Sequence, residues 1–239
     1  MRQFWTLFQR EIRRFLKVIV QTVVTPFVSS FLYLLVFGVS LGSHMSDHQQ
    51  IPYLAFLIPG LMMMTLMNNA FQNSSSSIVT SKFSGDLEDI RVAPITSNQI
   101  IWAMGLGGVV RGSIVAMITF FVGAIFYYSQ KGIILEIAHP MLAIYFIIVS
   151  GLIFSLLGIS IAFWARTFDQ LSAFSAFILL PLTYLGGVFI SIESLSPFWQ
   201  AVAKMNPLLY LINGLRYGVN GISDVEIVSS IVLSFVGFI

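Results

Sequence analysis

IAHPMLAIYFIIVSGLIFSLLGISIAFWA, residues 137–165, lies between Glu136 and Arg166 and holds no Asp, Glu, Lys or Arg. An α-helix needs about 20 residues to cross about 30 Å of hydrocarbon, and this run exceeds that. Lipid offers the backbone no hydrogen-bond partner, so a run of this kind must close its own amide ladder as a helix. The pattern repeats outward in both directions, with uncharged stretches at 18–46, 48–81, 92–110, 112–130, 170–192 and 227–239. Over all 239 residues, 57% are hydrophobic and 9% charged, and mean hydropathy is +0.90. Any function must therefore be exercised at a membrane.

Trimmed for turn residues, these stretches predict an all-α integral membrane protein of six transmembrane helices. They fall at about 18–41, 52–74, 98–128, 140–164, 170–190 and 225–239. The last is short of the about 20 residues required, which leads to the expectation that the C-terminus is truncated. Five of the twelve basic residues, Arg2, Arg10, Arg13, Arg14 and Lys17, precede the first span. The lysine and arginine bias of cytoplasmic loops then holds the N-terminus inside. Alternation puts Lys82, Arg91 and Arg166 inside and Lys131, Lys204 and Arg216 outside. The first apolar run is too long for a signal peptide and no small-residue cleavage site follows it, so it reads as a retained span.

Residues 2–17 have helical periodicity. Phe4, Trp5, Phe8, Ile12, Phe15 and Leu16 share one face, and Arg2, Gln9, Arg10, Arg13 and Lys17 lie opposite. A basic amphipathic helix with an aromatic side lies flat in the membrane interface. Met62, Met63, Met64 and Met67 read as gap-filling on a packing face, with a pliable surface for a greasy substrate as the alternative. From Asn68 the chain turns polar, and Phe83, Leu87 and Ile90 then share an apolar face. Asp86, Glu88 and Asp89 fall in its first turn and Pro94 ends it. Thr96 and Gln99 form a capping box that starts the next helix. A short helix over 83–94 is thus expected to protrude into the cytoplasm.

Arg111 stands within the third run. At bilayer depth it would mark a functional site, but 112–130 alone suffices to cross, and the arginine then snorkels at the inner interface. Gly108-x-x-x-Gly112 permits close helix approach, and Gly151, Ser155, Gly158 and Ala162 form a small-residue stripe on the fourth span. The fifth is interrupted by Pro181 and Gly186-Gly187. Beyond it come Ser196 as N-cap, Pro197 as first helical residue and the interface-anchoring pair Phe198-Trp199. Pro207 stops that helix, and Leu208–Tyr217 is too short to cross. Residues 193–218, including Glu193, read as an outer re-entrant element.

The chemistry the chain lacks narrows its function. There is no phosphate loop, no H-E-x-x-H and no cysteine, and no nucleophile elbow. The three histidines fall in outer loops, so a metal site is not expected. Clustering of the basic residues ahead of the first span excludes a nucleic-acid face. No carboxylate lies inside a span, which argues against a proton relay. No energy source is encoded, so a partner must supply the work. An ion-coupled secondary transporter, with Arg111 as its ionisable residue, and a membrane scaffold are the alternatives.

Several segments carry a family resemblance: Ile58-Pro59-Gly60; Gly85-Asp86-Leu87-Glu88-Asp89-Ile90-Arg91-Val92-Ala93-Pro94; Leu185-Gly186-Gly187-Val188-Phe189; Asn206-Pro207-Leu208-Leu209-Tyr210; and Leu215-Arg216-Tyr217-Gly218. In this order, over essentially the whole chain, they resemble the permease subunit of bacterial ABC-2 type exporters. The resemblance implies a homodimer in the inner membrane bound to two cytoplasmic ATPase subunits. ATP and magnesium would sit on those partners, with no cofactor on this chain. It implies that 83–94 is the helix that docks in the ATPase, through Phe83, Asp86, Leu87, Glu88, Ile90, Arg91 and Pro94. The N-terminal helix would assist, and 193–218 would cap the outer end of the pathway. Cargo in the family is hydrophobic drugs, lipid-linked oligosaccharides or polysaccharides. Thr65, Asn68, Ser155 and Ser160 are the polar residues that could meet a sugar. The chain departs from the pattern at Ile190-Ser191-Ile192, where many members have a proline.

Overall fold

A computed structural model describes residues 2–41, 51–86 and 95–238, and helices make up every long regular element among them. Helix α1 covers Arg2–Lys17. The next, α2, covers Ile19–Tyr33, with the buried Pro26 inside it, and widens to π-helical turns over Leu34–Leu41. Then follow α3, Tyr53–Ser84, α4, Ser97–Lys131, and α5, Pro140–Trp164. Helix α6 spans Phe168–Leu185 with a π-helical stretch at Ser175–Leu179. Three shorter helices close the chain: α7, Pro197–Lys204, α8, Pro207–Asn220, and α9, Ile227–Phe238.

Four of these, α3 to α6, are long and apolar enough to cross a membrane. Gln3–Lys17, from the expected interfacial helix, and Thr22–Gly38, from the first expected span, form a pair bent by 60°, which raises the count to five if the pair is one span. The expected sixth is a helix of 12 residues, below the length for crossing. The boundaries at Thr96 and Pro140 fall where sequence placed them. Thr96 Oγ1 accepts from Gln99 N and Gln99 Oε1 from Thr96 N, completing the capping box. Ser196 occupies the N-cap of α7 but makes no side-chain cap bond.

One boundary differs. The second span was expected to end near residue 74, and α3 instead runs to Ser84. Its polar stretch does not loop out, because Asn73, Ser74, Ser75 and Ser77 are buried against neighbouring helices. At about 1.5 Å per residue α3 is about 48 Å long and α4 about 52 Å. Both exceed the about 30 Å of hydrocarbon, so each must stand out of it by more than ten residues. The twenty residues from Arg111 to Lys131 rise about 30 Å, so the overhang is at the N-terminal end of α4, where α1 packs.

Helix α3 is the core, buried along nearly its whole length and flanked by α4 and α5. Close approach needs missing side chains. A Cβ on Gly108 would collide with Ser155 Oγ and Ser74 Oγ, one on Gly112 would lie 2.9 Å from Leu66 O, and one on Gly158 would lie 2.5 Å from Phe71 O. Met62, Met63, Met64 and Met67 are all buried here, so they fill the packing face rather than a surface. In the same layer, hydroxyls join three helices. Ser30 Oγ lies 2.9 Å from Thr119 Oγ1, which lies 3.2 Å from Thr65 Oγ1.

Candidate functional site

At the α1 end, a polar seam joins α1 to α3 and α4. Glu11 is fully buried, and its Oε1 accepts from Ser77 Oγ at 2.9 Å and from Arg10 Nη2 at 3.4 Å. Its Oε2 pairs with Arg14 Nε at 3.4 Å. Arg14 in turn donates from Nη1 to Ser76 Oγ at 3.1 Å and from Nη2 to the backbone and side-chain oxygens of Asn73. Burial lowers the pKa of the Arg14 guanidinium from its ordinary value, and Glu11 opposes the shift. Room for the acid comes from Gly107, whose Cβ would lie 2.9 Å from Glu11 Cβ.

The packed stripe of α1 runs Leu7, Glu11, Phe15 at helical spacing, and Trp5 and Leu16 of the expected apolar face are exposed. Phe4, Trp5 and Phe8 cluster with one another, Phe4–Phe8 centroids 6.4 Å apart and Trp5–Phe8 5.5 Å. Ile12 is half-buried, as is Arg10, and Arg13 is exposed. Glu11 was not singled out by sequence reasoning, although it is the lone acid in a basic helix, midway between Leu7 and Phe15. Between α1 and the end of α3 lies a groove of about 780 Å³, lined by Arg10, Arg13, Arg14, Lys17 and Asp86 among others.

Behind the seam, between α1, α3, α4 and α6, is a cavity of about 550 Å³. Arg14 and Arg111 both line it, with Gln72, Ser75, Ser76, Ser172 and Ser175 as further polar groups. Arg111 Nε is buried and finds no hydrogen-bond partner among the described residues. The Arg111 side chain turns into the bundle, where it lines this cavity.

Of the segment 83–94, Phe83 to Asp86 are described. Leu87, Glu88, Ile90, Arg91 and Pro94 lie outside the described residues. Phe83 and Asp86 are exposed, and Gly85 ends α3 at φ +80°, a left-handed conformation that suits glycine. Just before, Lys82 Nζ donates to the carbonyls of Ala162, Phe163 and Ala165 at 2.7, 2.9 and 3.1 Å. The last turn of α5 has orphan carbonyls and the negative end of the helix dipole, and the ammonium satisfies both. Phe83 stacks on Phe168, the first residue of α6, at 5.9 Å. The stem of the segment is thus fastened to two further helices.

At the other end, α8 folds back against α3 and α5. Arg216 is fully buried there, donating to Gly187 O at 2.6 Å and to Asn213 Oδ1 at 3.3 Å, with its guanidinium 3.8 Å from the Phe56 ring centre. Asn213 Oδ1 also accepts from Asp224 N at 3.0 Å, and Asp224 Oδ2 accepts from Ser191 Oγ at 2.8 Å. The buried turn at Gly186-Gly187, with Gly187 at φ +81°, presents its carbonyl to the arginine. Asn206 ties α8 to α6 through Leu182 O at 2.6 Å. Glu193, Pro197, Trp199 and Pro207 are exposed around this knot. Sequence reasoning used Arg216 as an outer charge and within a family motif but missed its burial; the i, i+3 spacing of Asn213 and Arg216 was the available signal.

Thr65 and Ser155, considered as contacts for a sugar, are buried in helix packing, and Ser160 is exposed. Gly108, Gly112 and Gly158 are packing positions against the α3 backbone, and Gly108 also faces Ser155.

A helical bundle of four or five apolar spans, polar at its two ends, defines a multi-pass membrane protein. The chain belongs to the ABC-2 type transporter family, whose model matches residues 2–220. It is 37% identical over 225 residues to the Inner membrane transport permease YadH of Escherichia coli K12, covering 94% of this chain and 86% of that protein. It is 24% identical over 200 residues to the Daunorubicin resistance ABC transporter permease protein DrrB1 of Streptomyces coeruleorubidus, covering 82% and 69%. Nodulation protein J of Azorhizobium caulinodans is 24% identical over 220 residues, covering 88% and 81%. Permeases of this family are transport proteins and not themselves enzymes.

Proposed function

We propose that this chain is the membrane-spanning permease of an ATP-driven exporter in a bacterial inner membrane, with its N-terminus cytoplasmic. Two copies form the pathway, and two cytoplasmic ABC ATPase subunits hydrolyse ATP with magnesium. The cargo is a hydrophobic or amphiphilic compound or a lipid-linked glycan, in keeping with relatives whose names refer to daunorubicin resistance and to nodulation.

One observation carries the coupling: Lys82 and Phe83 fasten the root of the 83–94 segment to the end of α5 and the start of α6. Force applied to that segment by a nucleotide-driven partner would be delivered to three helices at once rather than lost in a slack loop. The basic groove between α1 and α3 stands beside the same root and suits an acidic rim on the partner.

The test is affinity purification in mild detergent with mass spectrometry of what accompanies the chain. A phosphate-loop ATPase in about equal amount, lost in Leu87→Asp while the permease stays inserted, supports the reading. Normal complex yield and normal stimulated turnover in Leu87→Asp would overturn the coupling assignment.

A further inference from the structure

We infer that the cavity between α1, α3, α4 and α6 is a binding site for the phosphate of an anionic amphiphile in the leaflet at the α1 end. Two guanidiniums, those of Arg14 and Arg111, line it and no carboxylate does. Arg14 is partly satisfied by Glu11, Asn73 and Ser76. Arg111 has no protein partner among the described residues, and its buried Nε lacks any hydrogen bond. A cation held in that condition is costly, and an anion that accepts from its donor fork relieves the cost.

The chemistry of the walls points to phosphate. Guanidinium forks and neighbouring hydroxyls match the several acceptor oxygens of a tetrahedral oxyanion, and Ser75 of α3 and Ser172 of α6 are among the hydroxyls that line the cavity. Beside these polar groups the lining carries an apolar part, from Phe15, Val18, Phe71 and Phe168. At about 550 Å³ the space exceeds what a bare phosphate fills. Depth agrees, because Arg111 lies about 30 Å of helix rise from Lys131, at the boundary where headgroups reside. Basic pockets between spans on the inner side are recognised places for anionic headgroups.

The inference goes beyond the transport reading and does not depend on it, since binding is measured on the permease alone, without ATPase. The purified chain is titrated with dioleoylphosphatidylglycerol in neutral detergent, and thermal unfolding and native mass spectrometry report what is held. Dioleoylphosphatidylcholine, a diglyceride and inorganic phosphate are run as separate arms. Expected is a rise in Tm and retained adducts with phosphatidylglycerol, little with diglyceride, and an affinity about tenfold or more lower in Arg111→Gln, which loses a charge-assisted contact.

Ser172→Glu is exposed on α6 and adds a negative charge to the cavity, so it lowers affinity without removing a packed residue. It decides the matter if Arg111→Gln fails to fold. Lys131→Gln, exposed at the far end of α4, leaves binding unchanged. A response to inorganic phosphate equal to that of the lipid would assign the site to a free anion and overturn the amphiphile. Equal binding of diglyceride, or undiminished binding in Ser172→Glu, would overturn the phosphate site.

Discussion

Glu11 and Gly107 meet where α1 is pinned to the bundle, and a Cβ on Gly107 would lie 2.9 Å from the Glu11 Cβ. Both positions are rigid helical backbone, so neither can step aside as a flexible side-chain tip would. Gly107→Val therefore lifts α1 and breaks the contacts of Glu11 with Ser77 and of Arg14 with Asn73. The chain has no cysteine, so a single one placed at exposed Gln9 reports without background. A spin label there should become markedly more mobile in Gly107→Val. An unchanged spectrum would show that the seam is not what holds α1.

Gly158 and Gly105 separate packing need from helix propensity. The Gly158 Cβ would sit 2.5 Å from Phe71 O and 3.2 Å from Phe71 Cα, both backbone atoms, whereas the nearest atom to a Cβ on Gly105 is Leu156 Cδ2 at 3.8 Å. Gly158→Ala should cost about 1–3 kcal/mol through overpacking. Gly105→Ala should be neutral or stabilising by up to about 1 kcal/mol, because alanine is the better helix former. Thermal unfolding in detergent ranks the two, and equal midpoints would contradict the close α3–α5 approach.

These positions also show what was legible in sequence and what was not. The four spans α3 to α6, the Thr96 cap and the Pro140 start followed from apolar run length and local capping chemistry, because both depend on neighbours along the chain. The extension of α3 to Ser84 was not legible. Asn73 and Ser77 look like loop residues until Arg14 and Glu11, some sixty residues earlier, are placed beside them. The role of Lys82 was hidden for the same reason, since its partners are backbone carbonyls, which no residue type announces. Small-residue stripes were readable as packing faces, but which helix each would meet was not.

Arg216 offers a comparison of two losses. Asn213→Leu leaves a buried guanidinium with Gly187 O and the Phe56 face only, and strips Asp224 N of its acceptor. Stranding such groups should cost about 2–3 kcal/mol. Arg216→Met removes the charge together with its desolvation penalty, so it should cost less despite deleting the larger cluster of contacts. Unfolding midpoints of the two variants decide the order. The reverse order would mean that the stacking on Phe56 and the bond to Gly187 outweigh the cost of burying the charge.

Lys82→Met is the variant that separates stability from coupling. The methionine keeps an apolar stem over Phe163 but removes the donor to Ala162, Phe163 and Ala165. Loss of a cation at one helix C-terminus costs only about 0.3–1 kcal/mol when the site is near the surface, so the permease should fold and still bind its ATPase. What it loses is the fastening between the root of the 83–94 segment and α5. Substrate-stimulated ATP turnover of the complex should then fall several-fold while complex yield holds, and Lys82→Arg should restore most of it. If turnover and yield fall together, Lys82 is a folding residue; if neither moves, force must reach the spans by way of α1 and its seam with α3 instead.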